Sequence, residues 1–245
     1  MRCCVIRFYA ELNDFLPRKN RQVAFNHCFF GQPSVKDLIE SLGVPHTEVD
    51  LVLINGESVE FSRRVNDGDY ISVYPVFESI DISPVLCVRP VPLRETRFFL
   101  DAHLGKLAAY LRMLGFDALY ENGLPDEKLA EISVRERRIL LTRDRGLLKR
   151  GLVTHGYFVR SGIPAEQMKE VLQRFDLFRL VKPFSRCMCC NEILKAVPKG
   201  EIVERLPPKV RQHYNEFNLC QNCGRIYWKG SHYEQMKRFI KMINY

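Results

Sequence analysis

The stretch that most constrains this chain is RFFLDAHLGKLAAYLRMLGFDALY, Arg97 to Tyr120. Phe98, Phe99 and Leu100 make a short apolar run of the buried-strand type. Leu104, Leu107, Ala108, Leu111 and Leu114 then recur at helical spacing until Gly115 ends the helix, and a second short strand follows. Strand, helix and strand in so few residues predict a βαβ unit, and with it a parallel sheet. Asp101 falls at the carboxyl end of the first strand, where open α/β sheets place their ligands. An Asp in that position could equally cap the helix that follows.

The same alternation continues to about residue 180. A helix is expected from Leu124-Pro125-Asp126-Glu127, with Leu129 and Ile132 on its apolar face. A buried strand is expected over Ile139–Thr142, a helix around Leu147 and Leu148, a strand at Tyr157-Phe158-Val159, and a last helix from Pro164 that buries Met168, Val171, Leu172 and Phe175. Asp144 would then lie just past a second strand end, with Asp126 at the mouth of a helix that could face it. Three converging carboxylates repel one another unless a divalent cation neutralises them, and an oxygen-only set suits Mg²⁺ or Mn²⁺. Helix-terminal charge at Asp126 and Glu127, and a cap at Asp144, are the competing readings. Lys106, Arg112, Arg143, Arg145, Lys149 and Arg150 surround these acids in sequence and could hold phosphates, Arg112 and Arg143 being the preferred pair.

Residues 1–78 read differently. Val5, Arg7, Tyr9 and Glu11 alternate with Ile6, Phe8, Ala10 and Leu12 as in a strand with one apolar face, and a second strand is expected over Gln22–Phe29. Ser34 should cap a helix carrying Val35, Leu38, Ile39 and Leu42, stopped by Gly43. LVLING with its Asn55-Gly56 turn and then VNDGDYISVYPVF complete a ββαββ order, that of an α+β β-grasp fold. Through LINGE and VNDGD, residues 2–77 resemble the ubiquitin-like sulfur carriers of thiamine and molybdopterin biosynthesis. Those carriers act through a free C-terminal Gly-Gly. Here the last strand runs on through Val76-Phe77-Glu78-Ser79, so a docking or stabilising role for the head is expected instead. Residues 79–95, with three prolines, read as a linker.

Residues 181–245 hold two CxxC pairs, Cys187/Cys190 and Cys220/Cys223. That spacing brings four sulfurs around a structural Zn²⁺ in a ribbon, with no open position for catalysis. Cys189 is read as a spare thiol. Cys3, Cys4, Cys28 and Cys87 share no spacing and are read as small buried thiols. Met236, Phe239, Ile240 and Ile243 give a closing amphipathic helix. For Tyr227 and Trp228, packing is the first expectation and base stacking the second.

In their order, FFLDAHLGKLAAYLRMLGFDALY, PDEKLAEIS and RRILLTRDRGLLKRG resemble the PIN-like ribonuclease domain named for the C-terminal region of the mutator-seven exonuclease, and the likeness extends through the cysteines over residues 96–240. It implies a Rossmannoid parallel-sheet nuclease domain at 96–180 and metal-dependent hydrolysis of RNA. The carboxylates at Asp101, Asp126 and Asp144 carry over as ligands of the catalytic metal. Many PIN nucleases have a fourth acidic residue after the next strand, where this chain has Arg160-Ser161-Gly162, so one ion is expected rather than two. In some members a ubiquitin-like head precedes the nuclease, as here.

Charge fits an RNA partner. Residues 1–95 carry 10 Lys and Arg against 13 Asp and Glu, residues 96–180 carry 15 against 11, and residues 181–245 carry 12 against 5, giving net charges of −3, +4 and +7. No signal peptide or membrane-spanning stretch is visible, so a cytoplasmic enzyme is expected, with a possible protein partner for the head. The alternative is a non-catalytic zinc-ribbon adaptor that binds RNA, on tRNA or the ribosome.

Overall fold

The computed structural model describes residues 1–75, 88 and 96–243. Val76, Phe77, Cys87 and the expected linker, Val88 apart, lie outside them. The chain divides into two compact units, Met1–Glu95 with Gly123–Val159, and Thr96–Asn122 with Arg160–Tyr245.

The head is built from β1 (Arg2–Phe8), β2 (Phe25–Phe29), α1 (Val35–Ser41), β3 (Leu51–Ile54), β4 (Glu57–Ser58) and β5 (Tyr70–Tyr74). Its sheet order is β2-β1-β5-β3-β4, parallel between β1 and β5 and antiparallel elsewhere. This is the β-grasp arrangement. Ser34 opens α1 with a capping box: its hydroxyl accepts from the Asp37 amide, and the Asp37 carboxylate accepts from the Ser34 amide. Asn55 and Gly56, at φ 54° and 89°, make the tight turn between β3 and β4. Cys4, Ile6 and Phe8 point from β1 into a core that also takes Leu38 and Ile39 from α1.

Two head expectations need correction. The first strand ends at Phe8, because Ala10 has φ 44° and residues Ala10–Phe15 form a 3-10 helix. Cys3 and Cys28 are not separate buried thiols; they sit opposite each other across β1 and β2 and form a disulfide. Cys4 is a buried free thiol, as read.

Next come β6 (Arg97–Leu100), α2 (Gly105–Met113), β7 (Asp117–Tyr120), α3 (Asp126–Arg135), β8 (Ile139–Thr142), α4 (Arg145–Leu148), β9 (Gly156–Phe158) and α5 (Pro164–Arg174). β6 pairs in parallel with β7, and β8 pairs in parallel with β9. Phe98, Phe99 and Leu100 are fully buried, and each such side chain contributes about 1.5–3 kcal/mol of burial. Gly105 lies where β7 closes on the start of α2: a Cβ there would come within 2.9 Å of the Tyr120 hydroxyl, which donates to the Ala102 carbonyl.

The tail contains β10 (Lys195–Val197), α6 (Lys199–Ile202), α7 (Pro208–His213), β11 (Phe217–Leu219), β12 (Ile226–Trp228) and α8 (Ser231–Ile243). Its three strands form one antiparallel sheet. Ile202, Leu206 and Phe217 make a small core on one face, joined by Ile226 and Trp228. Among the described residues no helix is long and apolar enough to cross a membrane.

Candidate functional site

The four cysteines Cys187, Cys190, Cys220 and Cys223 come together, with their sulfurs within 4.8 Å of one another. Sγ–Sγ distances are 3.5 Å for Cys187–Cys223 and 3.3 Å for Cys190–Cys220. A tetrahedron with Zn–S bonds of about 2.3 Å has S–S edges of about 3.8 Å, so the set can hold zinc. The two knuckles are built alike. Asn191 and Gly224, each directly after a second cysteine, have φ of 71° and donate their amides to the carbonyls of Cys187 and Cys220. The amides of Cys187 and Cys220 in turn donate to the carbonyls of Glu192 and Arg225. Glycine adopts that backbone without cost, and asparagine is among the residues that tolerate it. Burial acts to raise the Cys187 thiol, but the Tyr227 hydroxyl and the amides of Cys190 and Cys189 outweigh it and bring the group down to about 6. The thiolate is the form that ligates zinc. Cys189 is exposed and outside the four-sulfur group.

Arg112, expected to meet phosphate, has another role. It is only 4% exposed, and its guanidinium donates to the carbonyls of Ala118 at 2.8 Å, Met188 at 3.2 Å and Cys189 at 2.6 Å. A buried cation held by three carbonyls is closed to a phosphate, so Arg112 clamps α2 to the first knuckle. Burial pulls its pKa down, while Cys187, Cys189, Cys190 and Asp117 act in the other direction. Asn191 supports the same join, accepting from the Ala118 amide and donating to Asp117. Nothing in the local sequence marks this pair, because Met188 and Cys189 lie more than 70 residues from Arg112, as Asp117 and Ala118 do from Asn191.

The acidic candidates each have a local structural role. Asp101, 8% exposed, follows β6 directly and accepts from the Ala102 amide at 2.5 Å, at the start of a 3-10 turn. Asp144 follows β8 by one residue and caps α4, accepting from the Gly146 amide at 2.6 Å. Asp126 opens α3 and faces the Arg150 guanidinium at 3.6 Å, while Glu127 meets it at 3.0 Å. That contact and the helix start hold the Glu127 carboxyl below its usual range, its own amide foremost.

Among the basic candidates, Lys106 and Arg143 are exposed, Arg143 lying 3.4 Å from the Val159 carbonyl. Arg145 lies over the rings of Phe15 and Phe158, at 5.0 and 5.3 Å from their centroids. Lys149 donates to the Glu40 carbonyl at 2.6 Å. Further contacts of the head with residues 145–158 were not legible in the sequence. His46 directs one ring nitrogen at Glu40 and the other at the Val153 carbonyl, 2.6 and 2.8 Å away, and the Phe158 amide donates to Glu48.

A β-grasp head, parallel βα units with acidic residues at strand ends and a four-cysteine ribbon define a modular α/β protein. The chain belongs to the Mut7-C RNAse domain family, which it matches over residues 96–240, as its motifs implied. Residues 1–81 match the Mut7-C ubiquitin family. No curated protein matches the chain. Among solved structures it is similar to SAMP1 from Haloferax volcanii, at 17% identity and a TM-score of 0.26, over 32% of this chain and 99% of that one.

Proposed function

We propose that this protein hydrolyses RNA phosphodiester bonds, and that Asp101, Asp126 and Asp144 hold one Mg²⁺ or Mn²⁺ ion for that reaction. The observation that supports the reading is that Asp101 and Asp144 each lie just past the carboxyl end of a parallel strand, β6 and β8, the kind of position at which α/β proteins bind ligands. Their oxygen-only donor chemistry fits a hard cation. When bound, such an ion activates water and stabilises the charge of the leaving oxygen. The chain's own contribution is orientation. The amides of Ala102 and Gly146 fix the carboxylates of Asp101 and Asp144 before substrate arrives. Asp126 joins them by giving up Arg150, which is then available to a phosphate. Arg143 and Lys106, both exposed, position the strand through its backbone and read no bases.

Zn²⁺ in the four-thiolate site folds the ribbon and takes no part in chemistry. A protein partner of the head, where one is recruited, meets a surface other than the one committed to residues 145–158.

The test is incubation of the full chain with RNA and DNA substrates, with and without Mn²⁺, beside Asp101→Asn and Asp144→Asn. Metal-dependent cleavage of RNA that falls on the order of 100-fold in each variant is expected. Wild-type rates in both variants would refute the assignment. RNA binding without any turnover would favour the adaptor.

A further inference from the structure

The ribbon sheet has one face on its small core and another that is not filled. Strand register puts Val197, Phe217 and Trp228 in one cross-strand row and Ala196, Asn218 and Tyr227 in the next. The first row belongs to the core side. The second therefore points the other way, since successive residues of a strand alternate faces. A cavity of about 620 Å³ borders the sheet, lined by residues of both rows, Ala196, Asn218 and Tyr227 among them, and is within the range of small-ligand sites. Its far side carries Phe184 and Tyr233, whose ring centroids are 4.4 Å apart, with Met236 beside them.

We propose that this slot takes an unstacked base of single-stranded RNA; the inference rests on the ribonuclease reading and adds to it a binding subsite for the strand. Ala196 is small enough to leave a flat floor, Phe184 and Tyr233 supply half-buried aromatic faces, and Asn218 offers both a donor and an acceptor to a base edge. Arg186 is already tied to the carbonyls of Asn191 and Gly115 and holds the wall in place. Lys229, exposed at the lining and steadied by Glu216 at 2.5 Å, is the cation nearest to hand for a phosphate. The occupant must be planar, apolar in body and anionic in tail, because the lining is aromatic while residues 181–245 carry net +7. A nucleotide of an unpaired strand meets all three conditions. A duplex, whose bases are stacked inside, does not.

Trp228, the single tryptophan of the chain, packs on the core side but borders the cavity beside Tyr227, close enough to report on its filling. The experiment titrates an octamer of uridylate, and separately a blunt RNA duplex, into full-length Asp144→Asn protein loaded with zinc, reading Trp228 fluorescence and anisotropy of labelled RNA. Saturable fluorescence change with the single strand is expected, together with about tenfold weaker binding in Tyr233→Ala and near-native binding in Tyr233→Phe. Ala196→Leu, which fills the slot without removing packing, should weaken binding similarly and covers the case in which Tyr233→Ala fails to fold. Unchanged affinity in Ala196→Leu and Tyr233→Ala overturns the proposal, as does equal binding of the duplex. Slot-dependent binding by a protein that never cleaves RNA removes the nuclease reading and leaves this one standing. Cleavage by the wild type with slot variants that bind normally does the reverse.

Discussion

Replacing Arg112 by methionine separates two roles for that residue. The substitution keeps the apolar stem and removes a guanidinium that satisfies three carbonyls, two of them in the first zinc knuckle. A hydrogen bond from a charged donor is worth about 1.5–3 kcal/mol, and a buried acceptor left alone costs about 1–3 kcal/mol. Methionine returns part of this through burial, so a net loss of about 3–5 kcal/mol is expected. In a chain of this size that corresponds to a melting transition lower by on the order of 10 °C. Zinc affinity should fall as well, by about 10–100-fold, because Arg112 holds the backbone of Met188 and Cys189 beside the ligands. Scanning calorimetry and competition with a chromophoric chelator measure the two effects. An Arg112→Met protein that melts normally and keeps its zinc but binds RNA poorly would refute the clamp and restore the phosphate contact expected from the motif.

Two further outcomes follow from contacts described above. Cys190→Ser should lower bound zinc well below one per chain, whereas Cys189→Ser should leave it at one, as measured by atomic emission; chelation of the metal should unfold the ribbon in circular dichroism. His46→Ala should destabilise the unit formed by the head and residues 123–159 by about 2–3 kcal/mol in urea unfolding, since it strips partners from Glu40 and from the Val153 carbonyl.

Local patterns were readable where one period dominated. Ile139–Thr142 is apolar throughout and is strand β8, and Pro125 and Pro164 mark the starts of α3 and α5. The first strand extends too far in the sequence reading because Ala10 and Leu12 continue the apolar alternation of Ile6 and Phe8 for two more positions, although the backbone already turns into a 3-10 helix at Ala10. Pairings across long separations had no local mark. The Cys3–Cys28 bridge depends on the register of β1 against β2, and Arg112 looks like a surface cation until residues 188 and 189 fold over it. Of the candidate sites, the four-cysteine ribbon was fully legible because ligand spacing encodes its geometry. The aspartates were legible as strand-end residues, but capping and metal ligation demand the same position, so sequence alone leaves both open.

The chain leaves the head's unit at residue 96 and returns to it at 123, then departs for good after Val159. During synthesis the head's unit therefore stays incomplete until well over half the polypeptide has emerged. A truncation at the apparent domain border would not release an intact Mut7-C domain: it would strip residues 145–158 of the surface on which Phe158 and Lys149 are seated.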